Sequence, residues 1–569
     1  MITSLLLCLS IPAGAEGEAA KDLRPNDPRP NIVFAFADDW GRHASCYAKL
    51  EPGGVNDVIR TPNVDRVAAD GVTFTNAFVS APSCTPCRSS LISGRHFWQC
   101  GRASILRGAV WDGSLPSYPL MLEEAGYHIG YSYKVWGPGR PDDAPYGEKR
   151  TEYGTMRDPA NRFSQAVTKA IAGGQSLEDA RAEILALVRS RFVACLNDAA
   201  EAGKPVCYWF GPTNVHRKWI AGSGKALWGV DPDDLRGKLP PYLPDIPVVR
   251  EDLADYLGEA MAFDAMLGEI LDVLEGRGMA GNTLLAVSGD HGAPGFPDGK
   301  CNLYDFGSAV PLIVRWPDAA KGGRAVTDFV TLPDLSPTFL SAGGVDPPSD
   351  MTARSLLPIL KGDGEGRVDA SRDTAFIGRE RHVDGARPGN LPYPQRAVRT
   401  DDFLYVRNFR PDRWPMGDPA GMGEGEQREA LNANPDDPEL ADYRGLREDT
   451  FVAFADVDAG PTKAEIVTRR GEPAIAPHYD RMVAKRPGEE LYDLRVDPHQ
   501  QTNVADDPAY ADDRKRLSER LMSVLRETGD PRVEDDGRFF ETSPMTDLRE
   551  IYPGMKNPPA KKPKAAAVK

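Results

Sequence analysis

No stretch of this 569-residue chain approaches the ~20 consecutive apolar residues that a membrane-spanning helix requires, so the sequence argues against a membrane span. A surplus of positive charge is also missing. With 68 Lys and Arg against 84 Asp and Glu, the net charge is -16, which argues against affinity for nucleic acid or acidic membranes, where Lys and Arg must neutralise phosphates. Any positive charge that meets an anionic substrate must therefore be local. Cysteine is scarce: eight residues are too few for a disulfide scaffold, and no pairing can be read from their spacing. No internal repeat is present. What remains is a chain with 41% hydrophobic and 27% charged residues, long enough to bury a large core in one big domain and a smaller one.

The apolar run from Ser4 to Ile11, followed by Ala13-Gly-Ala15, has the form of a signal peptide with a small-x-small cleavage site, although no Lys or Arg precedes it. Residues 1–15 are accordingly expected to direct export, and the protein to be secreted or periplasmic. Asn31-Ile-Val-Phe-Ala-Phe-Ala37 reads as a fully buried strand that stops at Asp38-Asp39. Val206–Phe210, Thr283–Val287 and Val310–Val314 have the same character. Between them lie helical patterns: a capping box at Ser176-Leu-Glu-Asp179 opens a helix to about Ala200, and an amphipathic stretch runs from Glu251 to about Arg277. This alternation predicts an α/β fold with a mostly parallel sheet covered on both faces. Gly362-Asp-Gly-Glu-Gly366 reads as a linker to a smaller C-terminal α+β region. That region includes a strand at Phe403–Val406 and a helix near Ala511–Thr528. The expected division is 25–360 and 370–545, with a disordered Pro/Lys tail over 553–569.

Ser83-Cys-Thr-Pro-Cys-Arg88, followed by Ser90-Leu-Ile-Ser-Gly-Arg95, is the most informative segment. By itself, Cys84-Thr-Pro-Cys87 leaves a dithiol redox reading open, in which the first cysteine has a lowered pKa. That reading gives no role to Arg88, Arg95 or the carboxylates that end the predicted strands. The segment resembles the signature of the type I, formylglycine-dependent sulfatases, Cys-x-Pro-x-Arg followed by a Leu-x-x-Gly-Arg-like element. The resemblance runs from about Pro30 to about Asn503. It implies an alkaline-phosphatase-like fold: a mixed, mostly parallel sheet between helices, with a smaller C-terminal subdomain. It also implies that Cys84 is oxidised to formylglycine by a formylglycine-generating or anaerobic sulfatase-maturing enzyme.

Asp38-Asp39 and Ser288-Gly-Asp-His-Gly292 both end predicted buried strands, where open α/β sheets place ligands. Carboxylates gathered there suit Ca²⁺ or Mg²⁺ better than a thiolate-seeking metal. The family resemblance implies one Ca²⁺ held by Asp38, Asp39, Asp290, His291 and the modified Cys84. It further implies that Arg88 holds the formylglycine, and that Lys300 in Gly299-Lys-Cys-Asn-Leu-Tyr304 contacts the sulfate. Lys134, in Lys134-Val-Trp-Gly137, matches a lysine that binds hydroxyl or sulfate oxygens. Asn214-Val-His-Arg217 is similar to an element of the heparan N-sulfatase branch in which the histidine protonates the leaving group, so His216 joins the catalytic set and Arg217 the substrate contacts.

The chain departs from the family at Trp136, where many members have a histidine. An indole moves no protons but can stack on a sugar ring. Trp136, Arg379, His382 and Arg399 are expected to contact an anionic carbohydrate, the arginines supplying the local charge that the chain as a whole lacks. The expected activity is removal of sulfate from a sulfated oligosaccharide, as an O-sulfate or N-sulfate. Phosphonate monoester or phosphodiester hydrolysis is the alternative within the same fold, and a sulfated-glycan-binding pseudoenzyme is a non-enzymatic one.

Overall fold

The computed structural model describes residues 27–141, 145–419 and 443–545. The expected signal peptide and C-terminal tail lie outside the described residues. Fourteen strands occur among the described residues: β1 (Asn31–Ala37), β2 (Val72–Phe78), β3 (Val110–Trp111), β4 (His128–Tyr133), β5 (Arg140–Pro141), β6 (Glu152–Gly154), β7 (Val206–Gly211), β8 (Thr283–Gly289), β9 (Leu312–Arg315), β10 (Arg324–Thr331), β11 (Ala375–Arg379), β12 (Gln395–Arg399), β13 (Phe403–Asn408) and β14 (Glu489–Asp493). Eight of them form one sheet in the order β10-β2-β9-β8-β1-β7-β4-β6. All pairs are parallel except those of β9, which runs against β2 and β8.

β1 shows why its sequence carries no polar residue after Asn31. Val33, Ala35 and Ala37 enter a core shared with the helices Leu177–Glu201 and Pro247–Gly276, while Ile32, Phe34 and Phe36 face a core that includes Leu91, Ile92 and Phe339. With both faces covered, every position of the strand must be apolar. The helix predicted from the Ser176 cap is present, and the Ser176 Oγ accepts from the Asp179 backbone N–H at 3.0 Å.

The second sheet, β11-β12-β13-β14, is antiparallel throughout. The helix Ala511–Glu527 covers one face through Leu517, Leu521 and Leu525. Ile377, Ala397, Leu404 and Tyr492 on the other face pack against Phe78, Leu303 and Phe329 of the large sheet's side. The fold is thus α/β and alkaline-phosphatase-like, a mixed, mostly parallel sheet with a small antiparallel C-terminal sheet. The glycine-rich stretch 362–366 is not a loose linker: the Gly366 N–H donates to Ala325 O, and Arg324 donates to Gly364 O, so the segment is fastened along β10.

The 30-residue helix Pro247–Gly276 packs in the core on one face of the large sheet and carries buried acids. Glu259 accepts from Asn214 Nδ2 at 3.0 Å and from the Ser164 N–H at 3.3 Å. Burial raises its carboxyl pKa to about 7. A folded-state pKa above the unfolded value means that the native protein binds the extra proton. Stability from this group is full below about pH 4.5 and is lost as pH rises through about 7. Thermal melts should therefore fall in Tm between pH 5 and 8, with Glu259→Gln flattening part of that fall, on the order of 3 kcal/mol at most. An unchanged slope in the variant would show that Glu259 is ionised throughout.

Candidate active site

β1 and β8 are parallel neighbours with Ala37 opposite Gly289, so Asp38-Asp39 and Asp290-His291 leave the sheet side by side. In an extended chain Asp38 and Asp39 would point to opposite faces. Asp39 instead takes φ = 61°, a left-handed conformation rare for a non-glycine residue, which turns the chain and keeps both carboxylates at the strand ends. The Asp39 N–H donates to Asp290 Oδ1 at 2.7 Å. The close approach also explains two glycines: a Cβ on Gly289 would lie 1.9 Å from Trp40 O, and one on Gly292 would lie 1.8 Å from Phe306 O.

Cys84 is the first residue of the helix Cys84–Ser93 and is buried, with Sγ 3.5 Å from His291 Nε2 and 3.8 Å from Asp39 Oδ1. The helix start aims unpaired backbone N–H groups at this point and favours an anion there. Arg88, one turn later and fully buried, joins the two strand ends: Nε donates to Asp290 Oδ2 at 3.0 Å and Nη2 to Asp38 Oδ1 at 2.9 Å. Lys134 Nζ donates to Asp38 at 2.7 and 2.8 Å, and Lys300 Nζ to Asp39 at 2.9 and 3.1 Å. Burial opposes ionisation of Asp38, but Lys134 and Arg88 outweigh it and hold its carboxyl well below the usual range. Three carboxylates and three cations thus face one another at the centre.

Burial, reinforced by neighbouring carboxylates, pushes the thiols of both Cys84 and Cys87 well above their ordinary pKa. Neither is a disulfide partner, and neither has the depressed pKa that thiol–disulfide exchange requires. The dithiol reading is thereby set aside.

The donor set fits a hard divalent cation. Ligand atoms of Asp39, Cys84, Asp290 and His291 lie within 4.8 Å of one another, as do those of Asp38, Asp39 and His216. His291 Nδ1 lies 3.2 Å from Gly292 O; a carbonyl can only accept, so Nδ1 carries the proton and the Nε2 lone pair faces Asp39 and Asp290 at 3.3 and 3.5 Å. His216 is arranged in the same way. Its Nδ1 donates to Arg217 O at 2.6 Å and Nε2 points to the centre, 3.8 Å from Asp39 Oδ2.

The family model for sulfatases matches residues 30–345, more than half of the chain. The chain belongs to the sulfatase family. It is 28% identical to human N-sulphoglucosamine sulphohydrolase over 523 residues, covering 88% of this chain and 91% of the relative. A protein solved in complex with its substrate, D-glucosamine-2-N,6-O-disulfate, superposes with a TM-score of 0.56 at 18% identity, covering 88% of this chain and 98% of the other. The phosphonate monoester hydrolase of Agrobacterium radiobacter gives 0.55 at 18% identity, with 88% and 96% covered. At such identities the two structures show the common fold alone.

In this sulfatase the expected metal ligands and Arg88, Lys134, His216 and Lys300 come together around Cys84. The expected substrate arginines Arg217, Arg379 and Arg399 are each held by an aspartate in this structure. Arg217 forms a two-pronged ion pair with Asp252 at 2.7 and 2.8 Å and is nearly enclosed. Arg379 donates to Asp456 at 2.5 Å and to Cys301 O at 2.8 Å. Arg399 is paired with Asp305 and lines a separate cavity of about 850 Å³. Long cations buried at a domain interface are stable only when paired, and aspartates are in reach of each. His382 is brought to the centre: Nδ1 lies 2.7 Å from Ser83 Oγ, and burial lowers its pKa to about 3, so it stays neutral.

Trp136 is half-buried, its Nε1 donating to Ser89 Oγ at 2.8 Å and its ring edge-on to Trp111. It therefore braces the Cys84 helix, whatever else it touches. Asp458 was not anticipated. It stands beside Lys300, brought there from a part of the chain that carries no motif.

Proposed function

We propose that this sulfatase removes sulfate from a saccharide, as an O-sulfate or an N-sulfate, using formylglycine formed from Cys84 and one bound Ca²⁺. The observation that supports it best is the convergence of Asp38, Asp39, Asp290 and His291 on a cysteine at a helix start, with three cations around it. The glycan assignment is supported by the human relative named for N-sulphoglucosamine.

Asp38, Asp39, Asp290 and His291 would hold the ion together with residue 84; when bound, it withdraws charge from a sulfate oxygen. Formylglycine, once its aldehyde has added water, would supply two hydroxyls on one carbon: one to attack sulfur as the saccharide oxygen or nitrogen leaves, the other to lose its proton and re-form the carbonyl as sulfate is expelled. Arg88 fixes residue 84 against Asp38 and Asp290. Lys134 and Lys300 turn from their carboxylates to the sulfate oxygens and stabilise charge that grows in the transition state. His216, whose Nδ1–H is donated to Arg217 O, presents Nε2 to the centre; an imidazolium there, protonated on both nitrogens, would deliver its Nε2 proton to the departing alkoxide or amine. A maturing enzyme must act on Cys84 before folding buries it, and export to the periplasm or beyond fits the Ser4–Ala15 segment.

Protein co-produced with a formylglycine-generating enzyme should release sulfate from N-sulfoglucosamine or glucosamine-2-N,6-O-disulfate, read by ion chromatography, more efficiently than from 4-nitrophenyl sulfate. Turnover confined to aryl sulfates would remove the glycan assignment. Faster turnover of aryl phosphonate esters would favour the phosphonate hydrolase reading. In the same assay Trp136→Ala should raise KM for the saccharide several-fold more than for the aryl ester if the indole stacks on the sugar. Equal losses would leave it only the role of a brace.

A further inference from the structure

The segment between the helices Tyr443–Glu448 and Pro461–Thr468 reaches the reaction centre and is fastened on both sides of Asp458. Asp456 accepts from Arg379 and Arg387 at 2.5 and 2.7 Å and from the Val383 N–H at 3.3 Å. Lys463, fully buried, donates to the carbonyls of Thr450, Phe454 and Val457 at 3.1, 3.3 and 2.8 Å. Thr462 donates to Asp252, the same carboxylate that holds Arg217. Phe454 adopts φ = 46°, so the chain turns sharply within this frame. Arg379, Arg387 and Lys463 thus build a rigid mount for a carboxylate.

Asp458 Oδ2 lies 3.4 Å from Lys300 Nζ, and its side chain is 18% exposed. That oxygen is shut off from solvent and accepts no hydrogen bond among the described residues. Burial opposes its ionisation, but Lys300, His216, His382 and Arg217 together hold the carboxyl well below the usual range, so it is charged. A negative group next to the lysine that faces sulfate weakens anion binding. That cost is offset if a donor arrives with the substrate at the exposed part of the carboxylate.

We propose that Asp458 is a specificity-determining residue whose carboxylate accepts a hydrogen bond from a hydroxyl or amine beside the scissile sulfate and repels substrates that carry a second anionic group there. This deepens the glycan reading and rests on it: a saccharide places hydroxyls or an amine next to each sulfate, whereas a simple aryl sulfate does not. Rigid mounting adds to selectivity, since the acceptor is positioned before the ligand arrives.

The test uses mature, Ca²⁺-loaded enzyme and its Asp458→Asn and Asp458→Ala variants, with 4-nitrophenyl sulfate as reporter and two competitors, glucosamine and inorganic sulfate. The two should move in opposite directions. Loss of a charged acceptor should raise the inhibition constant of glucosamine roughly tenfold or more. Release of Lys300 from Asp458 should lower that of sulfate. If Asp458 merely props Lys300, both constants rise together in both variants, and the proposal is overturned. It is equally overturned if neither constant moves, or if glucosamine fails to inhibit the wild type. A wild-type enzyme that releases sulfate from no saccharide sinks the glycan reading, while the opposed shifts of the two competitors still decide the role of Asp458.

Discussion

Cys84→Ala is expected to abolish turnover, by roughly 10⁶-fold, the scale on which enzymes lose rate when the nucleophile is removed. Cys87→Ala should be mild, because the Cys87 side chain packs in the core and no charged or metal-site atom depends on it. The asymmetry follows from position. Cys84 opens the helix beside Asp39 and His291, whereas Cys87 is a fully buried member of the apolar core on one face of the large sheet. Burial and nearby carboxylates push both thiols above their ordinary pKa, which favours a modified residue 84 over a thiolate nucleophile. Peptide mass spectrometry of active enzyme should therefore find formylglycine at residue 84 and an unmodified thiol at 87. Unmodified Cys84 in fully active protein would overturn the mechanism.

The second large effect is expected at the metal centre. Exhaustive chelation should remove one divalent ion per chain and almost all activity, with recovery on adding Ca²⁺. Asp290→Asn should lower metal content toward zero, measured by elemental analysis, and lower the melting temperature as well. Asp290 does two jobs: it faces His291 Nε2 at 3.5 Å, and it is one of the two carboxylates that hold the buried Arg88. Removing one partner from a buried ion pair costs about 3–5 kcal/mol, because the remaining charge stays out of water. A variant that keeps full metal content and a wild-type melting temperature would show that Asp290 neither ligates the ion nor supports Arg88. Full activity in metal-free protein would rule out the site altogether.

Much of the centre was legible because its chemistry sits in short contiguous segments. An uninterrupted apolar run that stops at two aspartates, a Ser-Gly-Asp-His after another such run, and Cys-Thr-Pro-Cys-Arg each pair a local structural signal with a reactive group. The ion pairs of the expected substrate arginines were not legible, for a physical reason. A guanidinium within a sequence looks the same whether it meets a ligand or an aspartate from a distant loop, and Asp252, Asp305 and Asp456 are distant in sequence from the arginines they hold. Asp458 escaped notice for the converse reason, since an acid in a polar loop is usually a solvated charge.

By itself the sequence determined which strands are buried, where they end, and which residues bear the reactive chemistry, because strand burial and helix starts depend on neighbours along the chain. Only the tertiary structure decided that β1 and β8 are adjacent, that Asp39 turns back to join Asp38, that three cations pair with the three carboxylates, and that Asp458 reaches Lys300. These depend on strand order, a left-handed backbone residue and ion pairs between remote segments. Such features are set by the competition of all charged groups for partners in a closed interior, and no local pattern in the chain records them.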